Sequence, residues 1–241
     1  MLLQDFAPLE PKIVLGVAAH PDDLDFSAAG TLAKYAAAGA RVHYLILTDG
    51  SKGSEDFDMS PDRLIGVRQT EQRAANALIG GAGVEFLAYG DGELEVTQDL
   101  KRDIARVIRS LKPDVIITMD PGVLYSPLRG FINHPDHRAA GQATLDAVYP
   151  LARDHLSYPE LSAAGYMPHK TPTILLSNFD DGNYLEDISS TINKKYEALA
   201  AHPSQIPDIL AVQERVGTIA KAFGVQAGCE YAEAFVRIDI A

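Results

Sequence analysis

The chain has 241 residues, 46% of them apolar, enough for a sizeable buried core in about one domain. With 21 basic against 33 acidic side chains its net charge is −12. That excess of acid leaves no basic field to neutralise a run of phosphates or to hold the chain on an anionic bilayer. The lone cysteine, Cys229, excludes an internal disulfide framework and a cysteine-rich zinc module.

Short apolar runs alternate with helical patterns. Strands are predicted over Ile13–Ala19, Val42–Thr48, Val84–Ala88, Val115–Met119 and Thr173–Leu176. Their β-branched and leucine content, without clean alternation, suits parallel strands covered on both faces. The best-defined helix runs over Asp99–Leu111, where Leu100, Ile104, Val107, Ile108 and Leu111 form one apolar stripe. Lys101, Arg102, Arg106 and Arg109 are expected in solvent, and Lys112-Pro113-Asp114 stops the helix. Two more helices are expected after Ser190, the second marked by Ile209, Val212, Val216, Ile219 and Phe223. Ala234–Ile240 then reads as a strand with one buried face, Ala234, Val236, Ile238 and Ile240 set against Phe235, Arg237 and Asp239. Long connections fall at Ser51–Pro61, Asp120–Asn133 and Ser157–Thr171, and long loops are where function concentrates.

This order predicts one α/β domain over residues 1–241: a Rossmann-like, doubly wound, mostly parallel sheet with helices on both faces. Ligands of such sheets bind outside the carboxyl ends of the strands. No apolar run approaches the roughly 20 residues of a membrane span. The opening Met1-Leu2-Leu3-Gln4-Asp5-Phe6 lacks the basic and long apolar regions of a secretory signal. A cytoplasmic protein with neither nucleic acid nor membrane as a partner is expected.

Two segments carry chemistry. Ala19-His20-Pro21-Asp22-Asp23 ends the first strand, and Asn133-His134-Pro135-Asp136-His137 follows the long loop after the fourth. Proline holds the residue before it extended and favours the first helical position, so each histidine should precede a helix start. His20 and Asp23 can then converge, as can His134 and His137. One such element alone is more often a helix cap than a metal site; two at strand ends, supplying both acids and histidines, reverse that balance. Catalytic zinc needs three ligands of this type and an open position, and it lowers the pKa of bound water to about 7. His20, Asp23 and one later histidine would supply the ligands. Asp22 and the other histidine would remain as general base and as donor to the developing oxyanion or leaving amine. Spacing alone does not decide between His134 and His137.

The segments AAHPDDLDFSAAGTLAKYAAAG and NHPDHRAAG resemble the paired signatures of the LmbE-like, or PIG-L, family. TDGSKGS after the second strand, Arg68-Gln69-Thr70-Glu71, Tyr89-Gly90-Asp91-Gly92 and the late Lys195…His202-Pro203-Ser204-Gln205 segment extend the resemblance over most of the chain. It implies a zinc-dependent hydrolase that removes an acetyl group from an N-acetylated amino sugar or related small conjugate. It also implies His20, Asp23 and His137 as zinc ligands, Asp22 as general base, and His134 as oxyanion stabiliser or proton donor. Arg68 and Asp91 match positions that touch polar substrate groups. His202 is expected at the pocket rim, or else as a helix-end histidine before the Pro203 turn. Two departures, Leu24 where many relatives carry Glu and Ser51 after Gly50, blur the substrate and leave the reaction intact. Some relatives form homo-oligomers, which the last strand and long loops could support here.

Other readings use the same residues. An amidase acting on a thiol S-conjugate would keep the metal and change the bond. An Fe²⁺ site of two histidines and a carboxylate would leave Asp22 and His134 without roles. A silent Rossmann-like binding module would leave the whole set without one.

Overall fold

The computed structural model describes residues 3–240 apart from positions 5, 128, 179 and 181. Met1, Leu2 and Asp5 of the opening segment, and Leu128 in the Asp120–Asn133 loop, thus lie outside the described residues. In chain order come β1 (Ile13–Ala18), α1 (Asp23–Ser27), α2 (Ala29–Ala37), β2 (Arg41–Thr48), α3 (Pro61–Leu78), β3 (Gly83–Tyr89) and α4 (Gln98–Leu111). Then follow β4 (Val115–Met119), the two-residue strands β5 (Tyr125–Ser126) and β6 (Phe131–Ile132), and α5 (Pro135–Asp146), which runs on through a wider turn over Ala147–Leu151. The last part contains α6 (Pro159–Ala163), β7 (Thr173–Ser177), β8 (Tyr184–Asp187), α7 (Ile192–Ala200), α8 (Ile209–Ala227) and β9 (Ala232–Asp239).

The main sheet has seven strands in the order β3-β2-β1-β4-β7-β9-β8. From β3 to β7 neighbours are parallel, while β9 runs antiparallel to both β7 and β8. Successive residues along β1 enter opposite cores. Val14 and Ala18 pack with Leu24, Leu32, Tyr44 and Ile46 under α1 and α2, and Leu15 and Val17 pack with Leu100, Ile104, Ile108 and Ala140 under α4 and α5. Two covered faces explain the lack of alternation in the predicted strands. The strand order reverses between β1 and β4, which opens a crevice at their carboxyl ends. Both His-Pro-Asp segments flank that crevice. Among the described residues no helix is long and apolar enough to cross a membrane.

Two expectations need correction. Arg109 is not in solvent: it is 1% exposed. Near the end of α4 its guanidinium reaches the turn that follows α5, and it donates to the carbonyls of Ala152 (3.1 Å), Leu151 (2.9 Å), Asp154 (2.9 Å) and Ser157 (2.7 Å). The last strand is not one-sided either. β9 lies between β7 and β8 and both its faces enter cores, Phe235 on one side and Ala234 and Val236 on the other, so Phe235 is buried, while Ile238 is 39% exposed. Its charged residues are buried by pairing: Glu233 with Lys195 at 2.5 Å, and Arg237 stacked 4.6 Å over the Phe6 ring. The short strands β5, β6 and β8 and the helix α6 carry no periodic sequence signal and were not expected.

Candidate active site

β1 delivers Ala19 and His20 to the crevice, and Pro21 turns the chain. Asp22 then takes φ +89° and ψ −28°, a left-handed conformation that a residue with a Cβ rarely adopts and that costs about 1–3 kcal/mol. Asp23 opens α1. Its Oδ2 accepts the His20 backbone N–H at 2.8 Å and closes the turn. On the other side of the crevice His134 caps α5 in extended geometry, φ −57° and ψ 138°, with Pro135 at the first helical position. One turn on, His137 points the same way. The three imidazoles form one cluster, with ring centroids 4.8 Å apart for His20 and His134 and 5.3 Å for the other two pairs.

Asp23 lies between two of them, Oδ1 at 3.0 Å from His137 Nε2 and Oδ2 at 3.5 Å from His20 Nδ1. Each imidazole is fixed at its other nitrogen. His20 Nε2 meets Asp91 Oδ1 and Asp136 Oδ2, both at 3.1 Å, and His137 Nδ1 meets Asn133 Oδ1 at 3.1 Å. An outer acceptor that orients the ring while the inner nitrogen faces a shared point is the usual arrangement around metal-ligating histidines. His20, Asp23 and His137 therefore fit a divalent cation. Ring nitrogens of His20, His134 and His137 also lie within 4.8 Å of one another, but His134 is the exposed member and its Nδ1 already accepts the Asp136 N–H at 3.2 Å. Asp136 is itself fixed by the N–H groups of Gly92 (2.7 Å) and Leu94 (3.2 Å).

Electrostatics follow from this crowding. Burial opposes a charge on His20, but hydrogen bonds to Asp136, Asp23 and Asp91 outweigh it and push the pKa up to about 12. Burial also opposes the Asp23 carboxylate, and His137 and His20 hold it well below the usual range nonetheless. Asp22 goes the other way, pushed up to about 7 by burial and the neighbouring Asp23 charge despite Arg68. His134 is lowered by burial and by the charge on His20.

The other expected residues lie beneath this cluster. Arg68 on α3 is 4% exposed and donates to the carbonyls of Gly50 (3.0 Å) and Pro21 (2.9 Å), and it stands 3.6 Å from Asp22 and 3.8 Å from Asp91. Gly50 has φ +67°, and a Cβ there would meet Arg68 and Pro21 at 3.1 Å. Asp91 accepts the Lys52 N–H at 2.9 Å and is lowered to about 2, where burial is outweighed by hydrogen bonds from His20 and Lys52. Both support the His20–Asp22 turn from behind in this structure. His202 has no exposed surface and sits under α1 with Nε2 2.8 Å from Asp25 Oδ2, away from any rim.

Above the cluster is a cavity of about 860 Å³. Asp23, His134 and His137 line its floor; Phe131 and Ile132 of β6, Asn178 and Asp180 after β7, and Glu214, Arg215 and Thr218 of α8 line its walls. The α8 wall and Gln72, which bonds the Asp22 backbone, were not anticipated. Nothing in α8 but its apolar stripe marks it, whereas Gln72 could have been found as the residue one helical turn beyond Arg68.

The family model described as GlcNAc-PI de-N-acetylase, PIG-L, matches residues 15–148, which include the whole His/Asp cluster. The diacetylchitobiose deacetylase of Thermococcus kodakarensis is 34% identical over 95% of this chain and 85% of its own length. A 1D-myo-inositol 2-acetamido-2-deoxy-alpha-D-glucopyranoside deacetylase of Rhodococcus erythropolis is 30% identical over 81% of each chain. Among solved structures, the N,N′-diacetylchitobiose deacetylase of Pyrococcus horikoshii superposes with a TM-score of 0.87 at 29% identity, covering 95% of this chain and 85% of that one. With its paired His-Pro-Asp segments at the strand-order reversal and this breadth of similarity, the chain belongs to the PIG-L family of de-N-acetylases.

Proposed function

We propose that the protein hydrolyses the acetamide of an N-acetylated amino sugar, releasing acetate and a free amine, with zinc held by His20, Asp23 and His137. The observation that carries this is the convergence of His20 and His137 on Asp23, next in sequence to Asp22, with Asp23 and His137 reaching the floor of a cavity. When bound, zinc supplies a Lewis acid that polarises the amide carbonyl and acidifies water.

The chain's own groups do the rest. Asp22, whose carboxyl is pushed up to about 7 by burial and the Asp23 charge, takes a proton from the attacking water, and Arg68 at 3.6 Å balances the charge beside it. Because His134 Nδ1 accepts the Asp136 N–H, its proton resides on Nε2. That N–H hydrogen-bonds the oxyanion as the C–O bond forms, and the proton that Asp22 took from water passes to the departing nitrogen as the C–N bond breaks. Asp136 and Asn133 hold the rings of His20 and His137 in place throughout. The cavity volume admits a substrate larger than one sugar ring, in keeping with the relatives' named substrates.

The test is Asp22→Asn, assayed for acetate release from N,N′-diacetylchitobiose. Turnover should fall by about 10²–10⁴-fold while one zinc per chain is retained. Undiminished turnover would overturn the assignment of the base.

A further inference from the structure

Behind the catalytic turn lies a wholly buried polar network. Gln72 of α3 has no exposed surface. Its Oε1 accepts the backbone N–H of Asp22 at 2.8 Å, and its Nε2 donates to Asp25 Oδ2 at 2.8 Å. The same Asp25 oxygen receives His202 Nε2 at 2.8 Å, and Asp25 Oδ1 accepts the Tyr44 hydroxyl at 3.3 Å. Asp25 and His202 are both 0% exposed. Four elements are thereby joined: α1 by Asp25, α3 by Gln72, β2 by Tyr44, and the loop after α7 by His202.

We infer that Gln72, oriented by the Asp25–His202 pair, is a positioning residue that holds Asp22 in its left-handed backbone conformation and so aims the base. The inference rests on the proposed role of Asp22. Asp22 has no side-chain cap to stabilise its unusual φ. Its N–H is held by Gln72, and the carbonyl before it, that of Pro21, by Arg68, one helical turn earlier on the same face of α3. A side-chain amide can face either way. Only with a carboxylate on one side does its NH₂ stay turned to Asp25 and its oxygen to Asp22. His202 and Tyr44, by donating to Asp25, keep that carboxylate from turning elsewhere. A shift of about 1 Å at a base is worth about 100-fold in rate, so the network acts on catalysis without touching substrate or metal.

Gln72→Met keeps the volume and removes both hydrogen bonds. It should lower kcat for N,N′-diacetylchitobiose by about 10- to 100-fold, leave KM within about threefold, and retain one zinc per chain by metal analysis. A purely structural role would not survive the next comparison. In the Asp22→Asn background, where the base is already gone, Gln72→Met should reduce the residual turnover by less than about twofold, because residues acting as one unit are not additive. Unchanged kcat in the folded single variant, or equal losses in both backgrounds, would overturn the inference. Undiminished turnover in Asp22→Asn alone would instead overturn the proposed base. Should Gln72→Met fail to fold, Tyr44→Phe tests the network from its far end: kcat should fall about three- to tenfold at unchanged KM and zinc content, and unchanged kcat would refute the role.

Discussion

Two glycines in helices offer a controlled test of how α5 carries its histidines. A Cβ on Gly141 would lie 2.3 Å from the Met119 carbonyl oxygen and 3.0 Å from the Pro121 ring. A Cβ on Gly66, within α3, would meet nothing within 4 Å. Alanine at either position gains about 1 kcal/mol of helix propensity. Gly66→Ala should therefore be more stable by about 0.5–1 kcal/mol, which raises the Tm of a chain this size by about 1–4 °C. At Gly141 the clash is with backbone, so it falls at the upper end of the roughly 1–3 kcal/mol that overpacking costs. Net destabilisation of about 2 kcal/mol follows, a Tm lower by about 4–8 °C. Relief requires α5 to move off the end of β4, and His137 lies one helical turn from Gly141. Thermal melts and acetate-release kinetics on both variants measure the two effects together. Gly141→Ala should lose kcat by about tenfold or more while Gly66→Ala keeps it. If Gly141→Ala proves as stable and as active as Gly66→Ala, the close packing of α5 on β4 does not set the histidine positions.

Other outcomes are equally definite. Arg109→Met removes the guanidinium from the carbonyls of Leu151, Ala152, Asp154 and Ser157, of which Ala152 and Asp154 keep a backbone donor. It should cost about 3–5 kcal/mol, seen as a Tm drop of about 10 °C, and Arg109→Lys should restore less than half; a melt near wild type refutes this. Chelation should abolish acetate release and lower the Tm, by about 4 kcal/mol of stability for zinc supplied at 1,000-fold over its Kd, and added zinc should restore both. An identical melt with and without chelator would count against a resident metal. For His202, burial opposes the charged ring, but the hydrogen bond and charge of Asp25 outweigh it and raise the pKa, whereas burial and Arg41 lower that of His43. The stability carried by charged His202 is full below about pH 6.5 and is lost as pH rises through its higher folded value. Ring NMR shifts should show His202 titrating above His43, and the reverse order would contradict the pairing with Asp25.

Much of this was legible in sequence because the relevant signals are local. The β1 and β4 runs, the α4 stripe and the two His-Pro-Asp segments are written in spacing and in proline chemistry, and all emerge where expected. What was hidden depends on contacts between distant segments. Arg109 looks like any polar residue flanking an apolar stripe, and only the turn over 151–157 makes it a core residue. Phe235 and Ile238 depart from the expected faces because both faces of β9 enter cores, Phe235 on one side and Ala234 and Val236 on the other, which alternation along the strand does not show. His202 stands 177 residues from Asp25, and no periodicity connects them. The convergence of the two His-Pro-Asp segments was foreseeable, but the buried network behind Asp22 was not, since its members are ordinary residues made special by burial.

The left-handed aspartate sets stability against activity at a single position. Glycine would relax the backbone at residue 22, and asparagine tolerates that region better than most residues. The fold would thus gain up to about 1–3 kcal/mol from Asp22→Gly, the substitution that removes the proposed base. A search for variants by thermal tolerance alone should therefore select dead enzyme here. It also means that an inactive Asp22→Asn protein can be taken at face value, because the exchange places no new strain on the turn.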